Sequence, residues 1–152
     1  MALELVADIR RLDRNIAEVK KRISAAVAAS GTTVTEVYGV GPIVAALLIG
    51  HTGDITRFPT KGHYASYNGT APIEASSGNV VRHRLNQRGN RQLNHALHMA
   101  AVTQIRRDNP GRTYYLGKIE DGKSKKEARR ALKRRISDAV FRQLRHDARP
   151  QT

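Results

Sequence analysis

The chain has 152 residues, enough for one compact domain with an appended helix, which excludes a large multidomain enzyme. It carries 27 Lys and Arg against 13 Asp and Glu, and this net charge of +14 favours a polyanionic partner such as nucleic acid. The absence of cysteine excludes disulfides, thiolate zinc sites and cysteine nucleophiles. No apolar run approaches the ~20 residues that cross a bilayer, so we expect a cytoplasmic protein with no membrane partner.

The positive charge is concentrated in the second half of the sequence. Residues 82–152 contain nineteen Lys and Arg and six Asp and Glu, whereas residues 1–36 contain six and five, and residues 37–81 two and two. This distribution predicts a localised electrostatic surface. Five Tyr, two Phe and no Trp are too few for base stacking to dominate, so we expect contacts to the phosphate backbone.

The first segment has the heptad spacing of a coiled coil. Apolar residues recur at alternating intervals of four and three: Leu5, Ile9, Leu12, Ile16, Val19, Ile23 and Ala26. This spacing predicts a coiled-coil dimerisation helix over residues 1–30, separate from a domain over residues 31–152. Because about three heptads is the shortest run that supports a coiled coil, an amphipathic helix packed on its own domain is an equal alternative.

A glycine-rich turn, VYGVGP at residues 37–42, precedes an apolar helix over residues 43–51. Pro42 suits the first position of a helix, where its missing N–H is harmless. Gly39 and Gly41 allow a sharp turn and expose backbone N–H groups at the positive end of the helix dipole. The pattern resembles a helix-hairpin-helix motif, which binds the DNA backbone. The alternative is a tight turn without a ligand.

Residues 71–85 differ from the helical segments on either side. β-Branched residues flank the polar cluster SSGN at 76–79, which predicts a small β-hairpin with Ser76 and Ser77 at its tip. Four arginines follow the serines: Arg82, Arg84, Arg88 and Arg91. A serine hydroxyl becomes a useful nucleophile when a base takes its proton or cations stabilise the developing charge on phosphate. From spacing alone, however, Ser-Ser-Gly is also an ordinary turn.

Helices follow to the end of the sequence. Asn90 suits the cap of a helix from Arg91 to about residue 107, a short helix follows over 112–120, and SKKE at 124–127 is a capping box that starts the last helix. Candidate contacts to nucleic acid in this half are Asn90, Arg91, Lys125, Lys126, Arg129 and Arg130. The predicted fold is therefore mainly α, with a long N-terminal coiled-coil-type helix, a helix-hairpin-helix core, a small β-hairpin near the serines and a basic C-terminal helix.

A metal site is not expected in this chain. Strand cleavage by two metal ions needs several carboxylates around ions about 4 Å apart. Residues 37–107 contain only Asp54 and Glu74. His95 and His98 stand three residues apart and are an alternative ligand pair, but such histidines on a basic helix more often form hydrogen bonds or contact phosphate.

Taken in order, the motifs resemble one family. They are VYGVGP at 37–42, GDITRF at 53–58, YNGTAP at 67–72, SSG at 76–78 and RGNRQL at 88–93, followed by two alanines at 100–101. The chain is similar to the C-terminal domain of insertion-sequence transposases described as bridge-RNA-guided, DEDD-type serine recombinases. The similarity is firm over residues 37–107 and looser in the flanking helices.

The resemblance implies a DNA recombinase whose parts are divided between domains. In that family an RNase H-like N-terminal domain holds acidic residues and Mg²⁺, a coiled coil links and dimerises, and the C-terminal domain supplies a serine that joins covalently to a DNA phosphate. That serine falls on Ser77, with Ser76 as the alternative. Since the acidic domain is absent from this sequence, we expect a fragment without a cofactor of its own, whose partners are DNA, a guide RNA and a second copy of the chain.

The rival hypothesis is a non-catalytic helix-hairpin-helix module that binds DNA or RNA, in which the serines are only turn residues. A module of this kind would bind with steep salt dependence but would form no phosphoserine linkage. A ribosomal-type RNA-binding protein also fits the charge, yet it explains neither the heptads nor the order of the motifs.

Overall fold

The computed structural model describes residues 1–77, 80–84 and 89–150, and within 73–84 it describes the backbone alone. This part of the chain is mainly helical, as predicted. The helices are α1 (Ala2–Ala29), α2 (Pro42–Thr52), α3 (Lys61–Asn68), α4 (Arg91–Arg106), α5 (Pro110–Glu120) and α6 (Lys125–Asp147), with 3₁₀ turns at Val34–Glu36 and Ile55–Arg57. Between α3 and α4, strands β1 (Ile73–Ser77) and β2 (Val80–Arg84) pair antiparallel. No described helix is long and apolar enough to span a bilayer.

Local signals in the sequence set the starts of several helices. Thr60, Asn90 and Ser124 each accept a backbone N–H from the first turn and so cap α3, α4 and α6. Ser124 and Glu127 form the predicted capping box. Pro110 occupies the first turn of α5, which therefore begins two residues earlier than predicted.

The core is built around α4, which contacts both α2 and α6. Its residues Leu93, Leu97 and Ala100 are fully buried, and Leu48 of α2 and Leu132 of α6 are buried against the same cluster. Each buried leucine stabilises the fold by roughly 1.5–3 kcal/mol. Helix α4 therefore sets the positions of the segments that join its two ends.

Only the C-terminal end of α1 joins this core. Val27 is 8% exposed, whereas Leu5, Ile9 and Leu12 are 59%, 58% and 55% exposed. The alternative in which this helix packs along its whole length on its own domain is therefore wrong for residues 5–19. The heptad pattern ends on Ala26, but the residue that is buried there is Val27, one position further on.

The linker after α1 is fastened to the end of α6. The carboxylate of Asp147 accepts the N–H of Thr33 at 3.0 and 3.1 Å, the Thr33 hydroxyl at 2.6 Å and the Thr32 hydroxyl at 2.8 Å. Although burial alone raises it, the pKa of Asp147 is held below its ordinary value by these hydrogen bonds. The sequence predicts only a boundary between the first helix and the following domain here, and no local pattern connects Thr32 and Thr33 to Asp147.

Candidate nucleic-acid interface

The two candidate nucleophiles lie at the end of β1. Ser76 and Ser77 are its last two residues, and their backbone pairs with the start of β2. Arg82 and Arg84 belong to β2. The side chains of these four residues, and the whole of Arg88, lie outside the described part of the chain. Their roles at the site stay predictions.

The segments that carry this two-stranded ribbon into the core meet at Gly69 and Gly89. A Cβ on Gly89 would lie under 3.0 Å from the backbone of Gly69, a separation that real Cβ atoms essentially never show. Beside this contact, the N–H of Asn90 donates to the carbonyl of Tyr67 at 2.6 Å. The Gly69–Gly89 contact and the hydrogen bond from Asn90 to Tyr67 therefore hold the two ends of the ribbon together, and we call this point the ribbon base.

A buried polar network lies under the ribbon base. The Oδ1 of Asn68 accepts the N–H and hydroxyl of Thr70 at 3.1 and 2.7 Å, while its Nδ2 donates to Ser137 on α6 at 2.8 Å. Asn94 on α4 donates to the Asn68 carbonyl at 3.1 Å and accepts the Lys133 ammonium at 2.6 Å. Asn68 and Ser137 are fully buried, so water does not compete for their hydrogen bond.

The side chain of Asn90, a predicted contact to nucleic acid, is engaged within the fold. Its Oδ1 accepts the N–H of Leu93 at 3.0 Å and its Nδ2 donates to the hydroxyl of Tyr67 at 3.4 Å. The guanidinium of Arg57 lies 4.6 Å from the centroid of the Tyr67 ring. Hydrogen bonds from Arg57 and Asn90 lower the pKa of the Tyr67 hydroxyl. The sequence does not mark Arg57 as a site residue, because it is an isolated cation in a nearly neutral segment.

The glycine turn before α2 is attached to the other end of α4. Gly39 has a φ of 85°, and a Cβ there would lie 2.7 Å from the carbonyl oxygen of Ala100. The side chain of Gln104 donates to the Tyr38 carbonyl at 2.8 Å. Gly41 is exposed and precedes a helix whose first turn has no side-chain cap. The first turn of α2 therefore has no side-chain acceptor for its N–H groups, and the binding of an anion there stays a prediction.

The glycine turn and the ribbon base are separate points along α4. Asn90 and Gln104 are fourteen residues apart in the sequence, which corresponds to about 21 Å along a helix. Arg91, exposed at the start of α4, belongs to the end that carries the ribbon. A single phosphate cannot contact both ends, and about 21 Å equals the axial separation of phosphates roughly six base pairs apart in one duplex.

The start of α6 concentrates positive charge. Lys125, Lys126 and Arg129 are exposed and Arg130 is half-buried. Cations here lie at the positive end of the helix dipole, and like charges four residues apart repel, so the arrangement disfavours the helix. The one carboxylate in this turn, Glu127, is held by the capping box, whose hydrogen bonds lower its pKa. Among the residues described, none of the four cations forms an ion pair, and a polyanion would supply the missing negative charge.

The alternative metal role of His95 and His98 gains no support from their surroundings. The described residues contain no group of three or more His, Asp or Glu placed to hold a metal ion. Burial, followed by the charges of Lys133 and Arg129, lowers the pKa of His98. A positive environment of this kind repels a metal cation and attracts an anion.

A transposase domain is the class that agrees with these features. A family model described as Transposase IS116/IS110/IS902 family matches residues 31–116, from the linker after α1 to the middle of α5. The matched part includes the glycine turn, the serine-bearing ribbon and all of α4. The chain belongs to this Transposase IS116/IS110/IS902 family.

Proteins encoded by insertion elements are similar to the chain. It is 39% identical over 113 residues to the 43.6 kDa protein of insertion element IS110 from Streptomyces coelicolor, an alignment that covers 74% of this chain and 28% of the relative. It is 34% identical over 108 residues to the 44.8 kDa protein of IS116 from Streptomyces clavuligerus, covering 70% and 27%. The 42 kDa protein of IS900 from Mycobacterium paratuberculosis is 33% identical over 112 residues, covering 72% and 28%. The chain thus spans just over a quarter of the length of these relatives.

Proposed function

We propose that this chain is the DNA-binding, serine-bearing part of a recombinase that moves an insertion element. The observation that carries the proposal is the placement of the ribbon. The strand that carries Ser76 and Ser77 is joined to the core at the ribbon base, where Gly69 contacts Gly89. The hydrogen-bond network under that base includes Lys133 of the basic helix α6. Membership of the transposase family and the similarity to insertion-element proteins support it.

The proposed reaction is a transesterification. The Ser77 hydroxyl attacks a backbone phosphorus, the new serine O–P bond forms as the P–O bond to one deoxyribose breaks, and the released sugar oxygen takes a proton. The serine proton passes to a base, and the phosphodiester energy is conserved in the phosphoserine bond, which a second sugar hydroxyl then attacks. Arg82, Arg84, Arg88 and Arg91 would bind the phosphate oxygens and stabilise the developing charge. Mg²⁺ held by carboxylates of a further acidic domain would supply Lewis-acid assistance.

Covalent trapping tests this proposal. In a protein that also carries the acidic domain, a nicked DNA substrate lets the leaving strand diffuse away, so the protein–DNA adduct accumulates. We expect Ser77→Ala to abolish the adduct while DNA affinity changes less than twofold, and Ser76→Ala, the matched control, to retain it. Adduct formation by Ser77→Ala with loss in Ser76→Ala would move the role to Ser76. Adduct retained in both variants would refute a serine nucleophile.

The exposed seam of α1 supports a further part of the proposal, pairing with a second copy of the chain. The apolar residues at heptad positions from Leu5 to Val19 have no partner in the described chain, and the least exposed of them, Val19, is 49% exposed. A contiguous apolar stripe on a long helix favours association with a similar stripe. Residues 1–30 would then be the dimerisation segment and residues 31–152 the nucleic-acid-binding domain.

A non-catalytic helix-hairpin-helix module is the second candidate. The uncapped first turn of α2 beside exposed Gly41 favours it, because backbone N–H groups bind phosphate without any reaction. The trapping experiment separates the candidates, since the module binds DNA and forms no adduct. A guide RNA is proposed from the family resemblance, and the charge of α6 is suited to its backbone as well as to that of DNA.

A further inference from the structure

We propose that Lys133, Arg129 and His98 form a binding site for one backbone phosphate of DNA at the junction of α4 and α6, next to the ribbon base. The inference deepens the proposed function and rests on it, because DNA is the ligand. The site differs from the exposed charge of Lys125 and Lys126, because its central cation lies inside the fold.

Lys133 is placed unusually for a lysine. It is 8% exposed, and its ammonium donates to Asn94 Oδ1 at 2.6 Å, its one hydrogen bond among the residues described. An ammonium carries three N–H donors, so two remain for another acceptor. A phosphate oxygen is an acceptor of suitable charge for that position.

The charged groups around Lys133 have the same sign. Arg129 and Arg130 lie four and three residues before it, on the same side of α6, and burial together with their charges lowers the pKa of Lys133 to about 8. From α4, His98 interacts with Lys133, and His95 lies one turn before His98. A buried cation among cations is unfavourable unless an anion compensates it. No described carboxylate forms an ion pair with Lys133, so a bound anion would favour its charged form.

Charged groups on the other helices packed against α6 are directed elsewhere. From α3, Lys61 lies 3.8 Å from Asp138, which is five residues beyond Lys133 on α6. From α5, Lys118 lies 5.3 Å from the centroid of the Tyr114 ring, which Arg135 of α6 also covers at 4.7 Å. The pKa of Lys133 therefore depends on its burial and on Arg129 and Arg130 of the same helix.

The site is linked to the ribbon by hydrogen bonds. Asn94 accepts from Lys133 and donates to the carbonyl of Asn68, the residue before Gly69 in the ribbon base. Two hydrogen bonds therefore join Lys133, the residue that would hold the phosphate, to the backbone that supports the serine strand. Binding there would fix the DNA backbone relative to the ribbon.

The pH dependence of DNA binding tests the site. The probe is a fluorescein-labelled DNA duplex, titrated with the 152-residue chain at fixed salt from pH 7.5 to 9.5. Free Lys133 loses its proton near pH 8, and binding a phosphate requires that proton, so we expect the affinity to fall on the order of 20-fold across this range. The pKa of His98 lies below its ordinary value, so this imidazole is neutral in the window and does not contribute.

Three variants assign the effect to Lys133. In Lys133→Arg the charge is permanent, so we expect the affinity to be nearly independent of pH. In Lys133→Met we expect weaker binding at pH 7.5 and the same flat profile. Lys126→Met, the matched control, removes an exposed cation from the same helix and should keep the wild-type pH profile.

The outcomes separate this site from the proposed function. A wild-type profile that persists in both Lys133 variants overturns the phosphate site while leaving DNA binding through the rest of α6 in place. Failure of every protein to bind the duplex at any pH overturns the proposed function and this site with it. Thermal unfolding checks that the variants fold, and if Lys133→Met does not, the comparison of Lys133→Arg with the wild type decides the question.

Discussion

The close approach of Gly89 to Gly69 predicts a large effect from one methyl group. In Gly89→Ala the new Cβ would lie under 3.0 Å from the Gly69 backbone, which cannot rotate away as a side chain could. The two segments must separate, and overpacking of this kind costs about 1–3 kcal/mol. Separation also lengthens the 2.6 Å hydrogen bond from Asn90 to Tyr67, at a further cost of roughly 0.5–1.5 kcal/mol. Together the two costs predict a loss of about 1.5–4.5 kcal/mol.

Thermal and urea unfolding of the chain measure this loss. For a protein of this size, about 1.5–4.5 kcal/mol corresponds to a fall in the melting temperature of roughly 3–18 °C. Gly117→Ala is the matched control, because nothing lies within 4 Å of its Cβ position in α5. Alanine is a better helix former than glycine, so that variant should gain up to about 1 kcal/mol.

The same substitution has a functional consequence if the ribbon carries the nucleophile. In a protein with the acidic domain, Gly89→Ala should lower the yield of trapped serine–DNA adduct at least tenfold at a temperature where the variant is folded. DNA affinity should change by less than threefold, because the cations of α6 are not displaced. A variant as stable as the wild type and with full adduct yield would refute the argument that the ribbon is positioned by its base.

Two further predictions concern α1 and the linker that follows it. Replacing Ile9 and Ile16 by Gln should convert a dimer into a monomer, as measured by light scattering. The melting temperature of the core should not change, because these side chains are 58% and 52% exposed. Arg14→Gln is the control, and an unchanged mass in the double variant would contradict pairing through the seam. Asp147→Asn should destabilise the chain at pH 7 by about 1–2 kcal/mol, because it weakens hydrogen bonds to a carboxylate. The pKa of Asp147 is lowered in the folded state, so its contribution to stability is present above the unfolded pKa of about 3.9 and is lost as the pH falls through the folded pKa. A difference in stability between wild type and variant that does not shrink from pH 7 to pH 3 would show that the carboxylate charge is not responsible.

The helices could be predicted because their determinants are local. Thr60, Asn90 and Ser124 cap helices within three residues of their own positions, so a single sequence contains both partners. The heptads of α1 likewise predicted one continuous helix. The heptad pattern of α1 was wrong only where this helix meets the core. There α1 packs on α2 and buries Val27, whereas the pattern predicts burial of Ala26.

The network under the ribbon could not be predicted because its partners are distant in sequence. Asn68 bonds to Asn94 and Ser137, which are 26 and 69 residues away, and no spacing rule connects an asparagine to such partners. The motif YNGTAP contains Asn68 and Gly69, but it does not predict the partners of either residue. Lys133 was one of many cations on α6, although its place between Leu132 and Ile136 on the buried face is a signal that could have distinguished it.

The contacts that hold the ribbon explain why glycines and buried amides at its base would matter for a reaction at its far end. A two-stranded ribbon is at best marginally stable in water without further packing, so its position depends on what holds its two ends. A nucleophile, in contrast, must be held within about 0.5 Å of its productive position. Here the glycine contact and the Asn68 network hold the ends, while under the proposed function the charge of α6 attracts the DNA. Changes at the base should therefore lower adduct yield at nearly constant affinity, and changes in α6 should lower affinity first.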